Sequence, residues 1–185
     1  HRENVALALR VAEDLGVERG LALSGMQKSR PDPGALREYD LDFFGRRLVF
    51  VNGFAANDPV STEQLWDLSI GRHPELKARI ALFNCREDRP ERSLQLGEAL
   101  PKMSPADVVV VMGTRAAVRA GLDPSKLEIA EGRGDDEIFE RVVSLVDESA
   151  LVFGMGNIGG HGLSLTRYFA NRAHPKSTDP RSRAA

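Results

Sequence analysis

The sequence predicts an α/β protein with a Rossmann-like, mainly parallel sheet and flanking helices. Short apolar runs with the length of buried strands occur near residues 80–83, 108–112 and 151–153. Amphipathic stretches of helical period separate these runs, near residues 62–70, 89–100 and 135–148. Polar or glycine-rich loops follow the apolar runs. Strands that alternate with helices in this way are typical of crossover units in a parallel sheet.

A pair of helices is predicted at the start of the chain. In residues 4–15 apolar side chains recur at helical spacing, and Gly16 is placed to end the helix. A second, shorter helix is predicted for residues 21–28. Segment 31–34 then contains two prolines and a glycine, which cannot continue a helix. This segment is the predicted hinge or domain junction.

Two strand-like runs follow the hinge, over residues 35–41 and 47–54. They are separated by Phe44 and Gly45, which predicts an antiparallel pair. Among the later helices, the one from Asp135 has the clearest pattern, because its apolar residues share one side and its first turn is acidic. A small additional strand is predicted near residues 127–130.

Three regions are predicted along the chain. Residues 1–30 form the helical end of a preceding domain or a linker, and residues 31–170 form the Rossmann-like domain. Residues 171–185 form a disordered polar tail, because this segment has almost no apolar side chains to bury. The chain starts at His1 without an initiator methionine, so we expect a fragment of a longer polypeptide.

Composition limits the classes of function. The 185 residues are 42% hydrophobic, enough for one substantial core, and the formal net charge is −2. A strongly basic surface that would bind nucleic acid is therefore not expected. The lone cysteine, Cys85, has no partner for an internal disulfide and is interpreted as a buried thiol in a reducing cytoplasm. No apolar stretch approaches the roughly 20 residues of a bilayer-spanning helix, so a soluble chain is expected.

The first candidate ligand segment covers residues 49–62, where a strand leads through a loop into a helix. Asn57, Asp58, Ser61 and Thr62 place short polar groups beside a helix N-terminus, which favours phosphate. The same residue types are ordinary helix caps, and Pro59 is a usual residue of a first turn. Phosphate binding and simple capping both remain open.

The second candidate segment covers residues 83–93 and again follows an apolar strand. Arg86, Arg89 and Arg92 could hold phosphate or carboxylate, since a planar guanidinium binds these groups with two hydrogen bonds. Three acidic residues of the same segment balance their charge. The alternative is a solvated helix start whose charges pair with one another.

The third candidate segment, residues 152–162, is rich in glycine and follows the last strand. Gly154, Gly156 and Gly159 match the spacing GxGxxG, but the acidic residue of a dinucleotide site does not follow about 20 residues on. A nicotinamide- or flavin-dependent oxidoreductase is thus the least favoured alternative. His161 is interpreted as a loop residue that makes a local hydrogen bond.

Two further features bear on a nucleotide site. The turn Gly113-Thr114-Arg115 could offer a hydroxyl and a cation, or could cap a helix. No GxxxxGK[ST] phosphate loop occurs in the sequence. The chain has glycine-rich loops but lacks this motif. We therefore predict that it is one part of a larger nucleotide-using enzyme.

Taken in order, these segments resemble the C-terminal region of the ligase subunit of poly-γ-glutamate synthase (PgsB/CapB type), a relative of the Mur ligases. The resemblance extends from His1 to Phe169. Several separate segments in the family's order are more specific than any one motif. The segments that carry it are HRENVAL at 1–7, Gly25-Met26, PDPGAL at 31–36, FAANDP at 54–59 with Ser61-Thr62, residues 84–93 and GMGNI at 154–158.

The resemblance implies the fold of a Mur ligase C-terminal domain and an ATP-dependent amide ligase. In such ligases a carboxylate is activated as an acyl phosphate and attacked by an amino group, here to extend γ-linked glutamate. ATP and Mg²⁺ are the implied cofactors, with the phosphate loop and most metal ligands in a central domain outside this chain. The isolated chain is therefore expected to be inactive.

The implied partners are that central ATPase domain, the membrane subunits of the synthase complex, glutamate and the growing polymer. A homo-oligomer is a further option, and nucleic acid is not expected. The implied location is the cytoplasmic face of the cell membrane, reached through the partner subunits. The alternative function is a docking or oligomerisation module that uses the arginine segment as its interface.

The resemblance also implies site residues. Arg86, Asp88 and Arg89 resemble the Gly-Asp-Arg segment of the peptide ligases and are the implied catalytic residues. Asn57 takes the place of a histidine in the family turn that faces the ATP phosphates; it can donate a hydrogen bond but cannot become cationic. No metal ligand is assigned in this chain. The implied nucleotide-binding residues are Asn4, Asn57, Asp58, Ser61, Gly154, Gly156 and Asn157.

Overall fold

The computed structural model describes residues 2–29, 34–56, 58–114 and 122–174. The chain divides into two compact units, His1–Asp32 and Pro33–Ala185. The candidate residues Asn57 and Arg115 lie outside the described residues, as do most of the predicted hinge and residues 175–185 of the predicted tail.

The N-terminal unit is a pair of helices, α1 (Arg2–Asp14) and α2 (Arg19–Lys28). Gly16 follows α1 with φ +81°, a left-handed conformation that glycine adopts without strain. Glu18 caps α2, since its carboxylate accepts hydrogen bonds from the Gly20 and Leu21 N–H groups at 2.8 and 2.9 Å. Both predicted helices are confirmed.

The second unit is built on a mostly parallel sheet. Within the described residues the sheet has six strands in the order β1-β2-β6-β3-β4-β5. β1 and β2 pair antiparallel, and every other neighbouring pair is parallel. The predicted α/β class with a mainly parallel sheet is confirmed. The strands are β1 (Glu38–Phe43), β2 (Arg46–Asn52), β3 (Ala78–Cys85), β4 (Val108–Gly113), β5 (Leu127–Ile129) and β6 (Ser149–Gly156).

Helices cover both faces of this sheet. They are α3 (Pro59–Arg72), α4 (Pro90–Ala99), α5 (Asp135–Ser144) and α6 (His161–Ala170). Successive strand residues point to opposite faces, so Phe50 packs in one core with α5 and α6 while Val51 packs in the other with α3 and α4. The unit is therefore doubly wound.

The strand order places a switch point between β3 and β6. The chain leaves β3 toward α4 on one face and leaves β6 toward α6 on the opposite face. The two strands are parallel neighbours, and Asn84 of β3 pairs with Gly156 of β6 at their carboxyl ends. Two loops that diverge at such a point leave a crevice between them, where ligands of open α/β sheets bind.

The opening hairpin has the predicted antiparallel pairing, with the register Phe43 to Arg46 at its end. Its two turn residues, Phe44 and Gly45, have φ values of 54° and 76°. Positive φ at both positions is the signature of a type I′ turn, which suits the twist of the flanking strands.

The last helix differs from the sequence-based prediction of a loop at His161, which is wrong. The structure places His161 at the first residue of α6, directly after Gly160 with φ +67°. The helix buries Leu165 and Phe169, and the Phe169 ring stacks on Phe50 with 4.1 Å between centroids. The helical spacing of these residues was masked by the glycines before them. α5 also ends at Ser144, earlier than predicted.

Residues after α6 contact the edge strand β1. The His174 N–H donates a hydrogen bond to the Asp40 carbonyl at 2.9 Å, and the Asp42 N–H donates to His174 Nε2 at 3.2 Å. The first residues of the predicted polar tail thus follow the edge of the sheet. In the part of the chain that the structure describes, no helix has the length and apolar content to cross a membrane.

Candidate functional site

Asn84 ties together the two loops at the switch point. Its Nδ2 donates hydrogen bonds to the carbonyls of Asn157 at 2.6 Å and Gly159 at 2.8 Å, and the Asn157 N–H donates to the Asn84 carbonyl at 3.1 Å. Asn84 and Asn157 are both buried. The loops after β3 and β6 therefore form one hydrogen-bonded structure. Asn84 is not among the site residues predicted from the sequence, although a polar residue at the end of an apolar strand is a usable signal.

The glycines of the third segment are required by contacts inside the protein. A Cβ added to Gly154 would lie 2.5 Å from Phe54 Cε2, and one added to Gly156 would lie 2.6 Å from the Asn84 carbonyl oxygen. Gly156 also has φ +90°. A Cβ on Gly159 would overlap Arg86 Nη1. Protein atoms thus account for the GxGxxG spacing, and any nucleotide contact of Gly154 and Gly156 stays a prediction.

Arg86 projects from the loop after β3 and lies against Gly159. Its Nε donates a hydrogen bond to Asp88 Oδ1 at 2.7 Å, and its Nη2 donates to Asp88 Oδ2 at 2.5 Å. This two-point hydrogen bond from Arg86 lowers the pKa of the Asp88 carboxyl below its usual value. Nη1 has no hydrogen-bond partner among the residues that the structure describes. The predicted pairing within the segment occurs, and one guanidinium nitrogen remains available to a ligand.

Arg89 precedes α4 at its N-cap position without a side-chain cap. The buried Ser93 hydroxyl connects this turn, since it donates to the Arg89 carbonyl and accepts from the Arg86 N–H, both at 3.4 Å. The Arg89 side chain is exposed. The Arg89 N–H donates a hydrogen bond to the Arg86 carbonyl at 3.3 Å, but the Arg89 side chain makes no hydrogen bond or ion pair with the part of the chain that the structure describes.

Asp58 caps α3 at the carboxyl end of β2. Its Oδ1 accepts a hydrogen bond from the Ser61 N–H at 2.8 Å, and the Thr62 hydroxyl donates to its carbonyl at 2.8 Å. The Ser61 N–H is the main cause that lowers the pKa of Asp58. The predicted capping is present, and it uses an N–H group that a phosphate would need. A carboxylate here also opposes a phosphate at the same helix end.

An open cleft of about 440 Å³ lies beside Arg86, between the ends of β3, β4 and β5. It is lined by Arg86 and Asp88 on one side and by Thr114 and Glu131 on the other. The buried Thr114 hydroxyl has no hydrogen-bond partner within the described residues. The cleft therefore presents a cation and carboxylates, and the Thr114 hydroxyl is buried in its wall. A more apolar cavity of about 220 Å³ beside Leu100 contains none of these residues.

A histidine and a carboxylate meet at the same edge of the sheet. His161 Nδ1 lies 2.7 Å from Asp135 Oδ1, which joins the first residue of α6 to the first residue of α5. The side chains are 32% and 27% exposed. Sequence spacing could not pair them, because they lie 26 residues apart on different helices.

The remaining assignments stay predictions. Asn4 lies in α1 of the N-terminal unit and is exposed. Asp58, Arg86, Asp88, Arg89, Gly154, Gly156 and Asn157 all lie at the carboxyl ends of β2, β3 and β6 or in the loops that follow them. In the described ranges, no group of three or more histidine, cysteine or acidic residues is arranged to hold a metal ion.

Solved structures with a similar chain fold include two ligases. A UDP-N-acetylmuramoyl-L-alanyl-D-glutamate–2,6-diaminopimelate ligase is 19% identical, with a TM-score of 0.49 over 91% of this chain and 38% of that chain. A MurF ligase from Thermotoga maritima in complex with ADP is also 19% identical, with a TM-score of 0.49 over 92% of this chain and 38% of that chain.

Curated relatives are more similar in sequence. Capsule biosynthesis protein CapB of Bacillus anthracis is 34% identical over 164 residues, and PGA synthase CapB of Bacillus subtilis (strain 168) is 33% identical over 164 residues. Each alignment covers 85% of this chain but only 35% and 42% of the respective relative. The family model of the poly-gamma-glutamate synthase CapB C-terminal domain matches residues 38–172. The chain belongs to the poly-gamma-glutamate synthase CapB C-terminal domain family.

Proposed function

We propose that this chain is the nucleotide-facing C-terminal part of an ATP-dependent amide ligase that polymerises glutamate into poly-γ-glutamate. Family membership supports the glutamate polymer as product. The observation that carries the proposal is the position of Arg86, whose guanidinium is held by Asp88 and lies against Gly159 at the carboxyl ends of β3 and β6. Ligands of doubly wound sheets bind at this place.

The arrangement suits a reaction that builds and discharges an acyl phosphate. Such an intermediate concentrates negative charge, which cations and free backbone N–H groups stabilise. Among the described residues Arg86 Nη1 has no hydrogen-bond partner, and α6 begins after Gly160 without a side-chain cap, so its first N–H groups are not occupied by a capping side chain. Both features flank the same β6–α6 loop. In this proposal Arg86 orients the phosphate or the substrate carboxylate.

The described residues do not by themselves supply a magnesium site. Asp58 is engaged as a helix cap, Asp88 is engaged by Arg86, and no acidic cluster accompanies them. Mg²⁺ prefers several oxygen ligands in octahedral geometry. We therefore expect any Mg²⁺ used in the reaction to be held by residues other than the described ones.

The proposed ligase has further domains. The two curated relatives are more than twice the length that this chain covers, and the phosphate loop is absent from the present sequence. We propose that another domain brings the ATP phosphates to the Arg86 edge and that membrane subunits of the synthase complex receive the polymer at the inner face of the membrane.

The test compares this chain alone with the complete ligase that contains it, in the presence of ATP, Mg²⁺ and glutamate. We expect ADP release and polymer from the complete ligase only. Arg86→Ala in the complete ligase should reduce ADP release by about 100-fold, the typical loss when one group that stabilises transition-state charge is removed. Sustained ATP hydrolysis or amide formation by the isolated chain would contradict the proposal.

A docking or oligomerisation module is the second candidate. The observation that favours it is the pairing of Arg86 with Asp88, which partly neutralises the guanidinium. Arg86→Ala and Arg89→Ala separate the two functions. For each variant the size of the assembly and the protection of the protein by bound ATP are both measured. If the variants no longer assemble but ATP still protects them, docking is supported. If they still assemble but ATP no longer protects them, catalysis is supported.

A further inference from the structure

The His161–Asp135 pair has a defined protonation pattern. The Asp135 carboxylate can only accept a hydrogen bond, so the proton in the 2.7 Å contact is on His161 Nδ1. The lone pair of Nε2 then faces away from Asp135. No hydrogen bond to Nε2 occurs among the described residues, and Nε2 is not one of the buried polar atoms without a partner. The imidazole therefore offers a basic nitrogen to solvent.

Asp135 is the carboxylate that binds His161, because the other two acidic residues of its helical turn are directed elsewhere. In the same helical turn, Glu137 accepts the Gly134 N–H at 2.9 Å, and Asp136 is oriented toward Gly134. From another element, the Arg86 guanidinium contacts Gly159, two residues before His161. On α6 itself, Arg167 lies in the last turn.

His161 follows the loop residue Gly159, which contacts the Arg86 guanidinium that the proposed function places on the phosphate or carboxylate. The loop from Gly159 to His161 connects the Arg86 guanidinium to the imidazole through two residues. The Asn84 hydrogen bonds hold the start of this loop against the end of β3. The base and the cation thus belong to loops that are hydrogen-bonded to each other at one edge of the sheet, as positioned acid–base chemistry on a bound anion requires.

We propose that His161 is the general base of the ligation step and that Asp135 is its positioning residue. The inference rests on the proposed function and names how its nucleophile, a glutamate amino group, is activated. Asp135 holds the imidazole in the tautomer whose Nε2 accepts a proton, and its negative charge stabilises the imidazolium that forms.

The incoming ammonium group transfers one proton to His161 Nε2 and becomes a neutral amine. The amine nitrogen attacks the carbonyl carbon of the acyl phosphate, so that a C–N bond forms. The C–O bond to the phosphate breaks, the phosphate leaves with the bonding electron pair, and it takes up the second proton that the nitrogen loses.

The experiment uses the complete ligase and two nucleophiles, glutamate and hydroxylamine. Hydroxylamine is largely unprotonated at neutral pH and needs no base, so it traps the acyl phosphate as a hydroxamate. His161→Gln should reduce glutamate ligation by about 100-fold at pH 7, in the range of general acid–base catalysis. Hydroxamate formation should remain within about twofold, because the loss should be confined to the base-dependent step. Raising the pH should restore glutamate ligation, since the free amine then becomes abundant.

Asp135→Asn should give a smaller loss of glutamate ligation with the same rescue at high pH. The matched control is His73→Gln, because His73 contacts Glu38 at the opposite end of α3 and should leave both reactions unchanged. An equal loss of hydroxamate and ligation in His161→Gln would overturn the base assignment in favour of a structural link between α5 and α6. Absence of hydroxamate with the unmodified ligase would instead contradict the proposed function.

Discussion

Arg86, in the loop after β3, lies against the loop after β6. Its guanidinium is constrained on one side by the Asp88 carboxylate and on the other by the backbone at Gly159. A long, flexible side chain loses rotamer entropy when it is held in this way. Because Arg86 is already held in the free protein, less of this entropy is lost when a ligand binds. The charge of Arg86 is thus placed before a ligand arrives.

Gly159→Ala tests this constraint. An added Cβ overlaps Arg86 Nη1, so the guanidinium must leave its place. We expect the complete ligase to lose activity to a similar extent as Arg86→Ala while the thermal unfolding midpoint changes little. Gly71→Ala is the control, because a Cβ there meets no atom within 4 Å and alanine favours the helix. Normal activity in Gly159→Ala would show that the Arg86 position is not required.

Asp58 provides a test by pH. Its pKa is lowered in the folded protein by the Ser61 N–H, so its capping contribution is present at neutral pH and declines as the pH falls through the lowered pKa. Asp58→Ala should reduce the free energy of unfolding by about 1 kcal/mol at pH 7. In urea titrations the difference from the unmodified protein should narrow below about pH 4. Asp58→Asn should keep most of the stability without this pH dependence. If the difference in free energy of unfolding between Asp58→Ala and the unmodified protein widens at low pH, the assignment is contradicted.

Residue-level inference from the sequence succeeded where a residue acts on its own neighbours. Capping by Asp58 follows from the order Asp-Pro-Val-Ser, since its partner Ser61 is three residues away. The roles of Asn84 and Asp135 could not be inferred in that way. Their partners lie 73 to 75 and 26 residues away, and only folding brings them together.

At the level of elements, the β1–β2 hairpin contains a local conflict. Its turn requires positive φ at two residues, but the first of them is Phe44, a bulky side chain that is 92% exposed. Left-handed backbone is unfavourable for such a residue. The flanking strands and the following Gly45 determine the turn in spite of this cost.

Phe44→Asn should therefore stabilise the protein. It creates the Asn-Gly pair that type I′ turns prefer, and the free energy of unfolding should rise by about 1 kcal/mol. Chemical denaturation at pH 7 measures the change. The competing effect is loss of the edge-on contact between the Phe43 and Phe44 rings, whose centroids are 5.0 Å apart. A lower stability would mean that this contact outweighs the backbone strain.

The helices α5 and α6 differ in how well the spacing of apolar residues predicts them. α5 was predicted because its buried residues follow an acidic start at regular spacing. α6 was missed because glycines dominate the preceding residues, and its stability comes from packing of Phe169 against Phe50 and Phe139. A helix of ten residues is marginal alone, so tertiary contacts decide whether it forms.

At the level of the whole molecule, the described candidate residues of the second unit lie at one edge because the sheet is mostly parallel. A nucleotide bound there should protect that edge selectively. In the complete ligase, a non-hydrolysable ATP analogue at ten times its Kd should slow hydrogen exchange up to about tenfold in loops 86–89 and 157–161. Segment 73–77, before β3 at the opposite edge, should not change. Equal protection at both edges, or none, would contradict a site at the carboxyl edge.

The amino-acid sequence was sufficient for the order of strands and helices from β1 to α5, the doubly wound class and the family, because these depend on local periodicity and on segments in a fixed order. It did not reveal α6, the Asn84 link or the His161–Asp135 pair. Those features depend on the insertion of β6 between β2 and β3, which brings distant loops within hydrogen-bond distance. Local spacing contains no information on that strand order, and the contacts across it exist only in the folded protein.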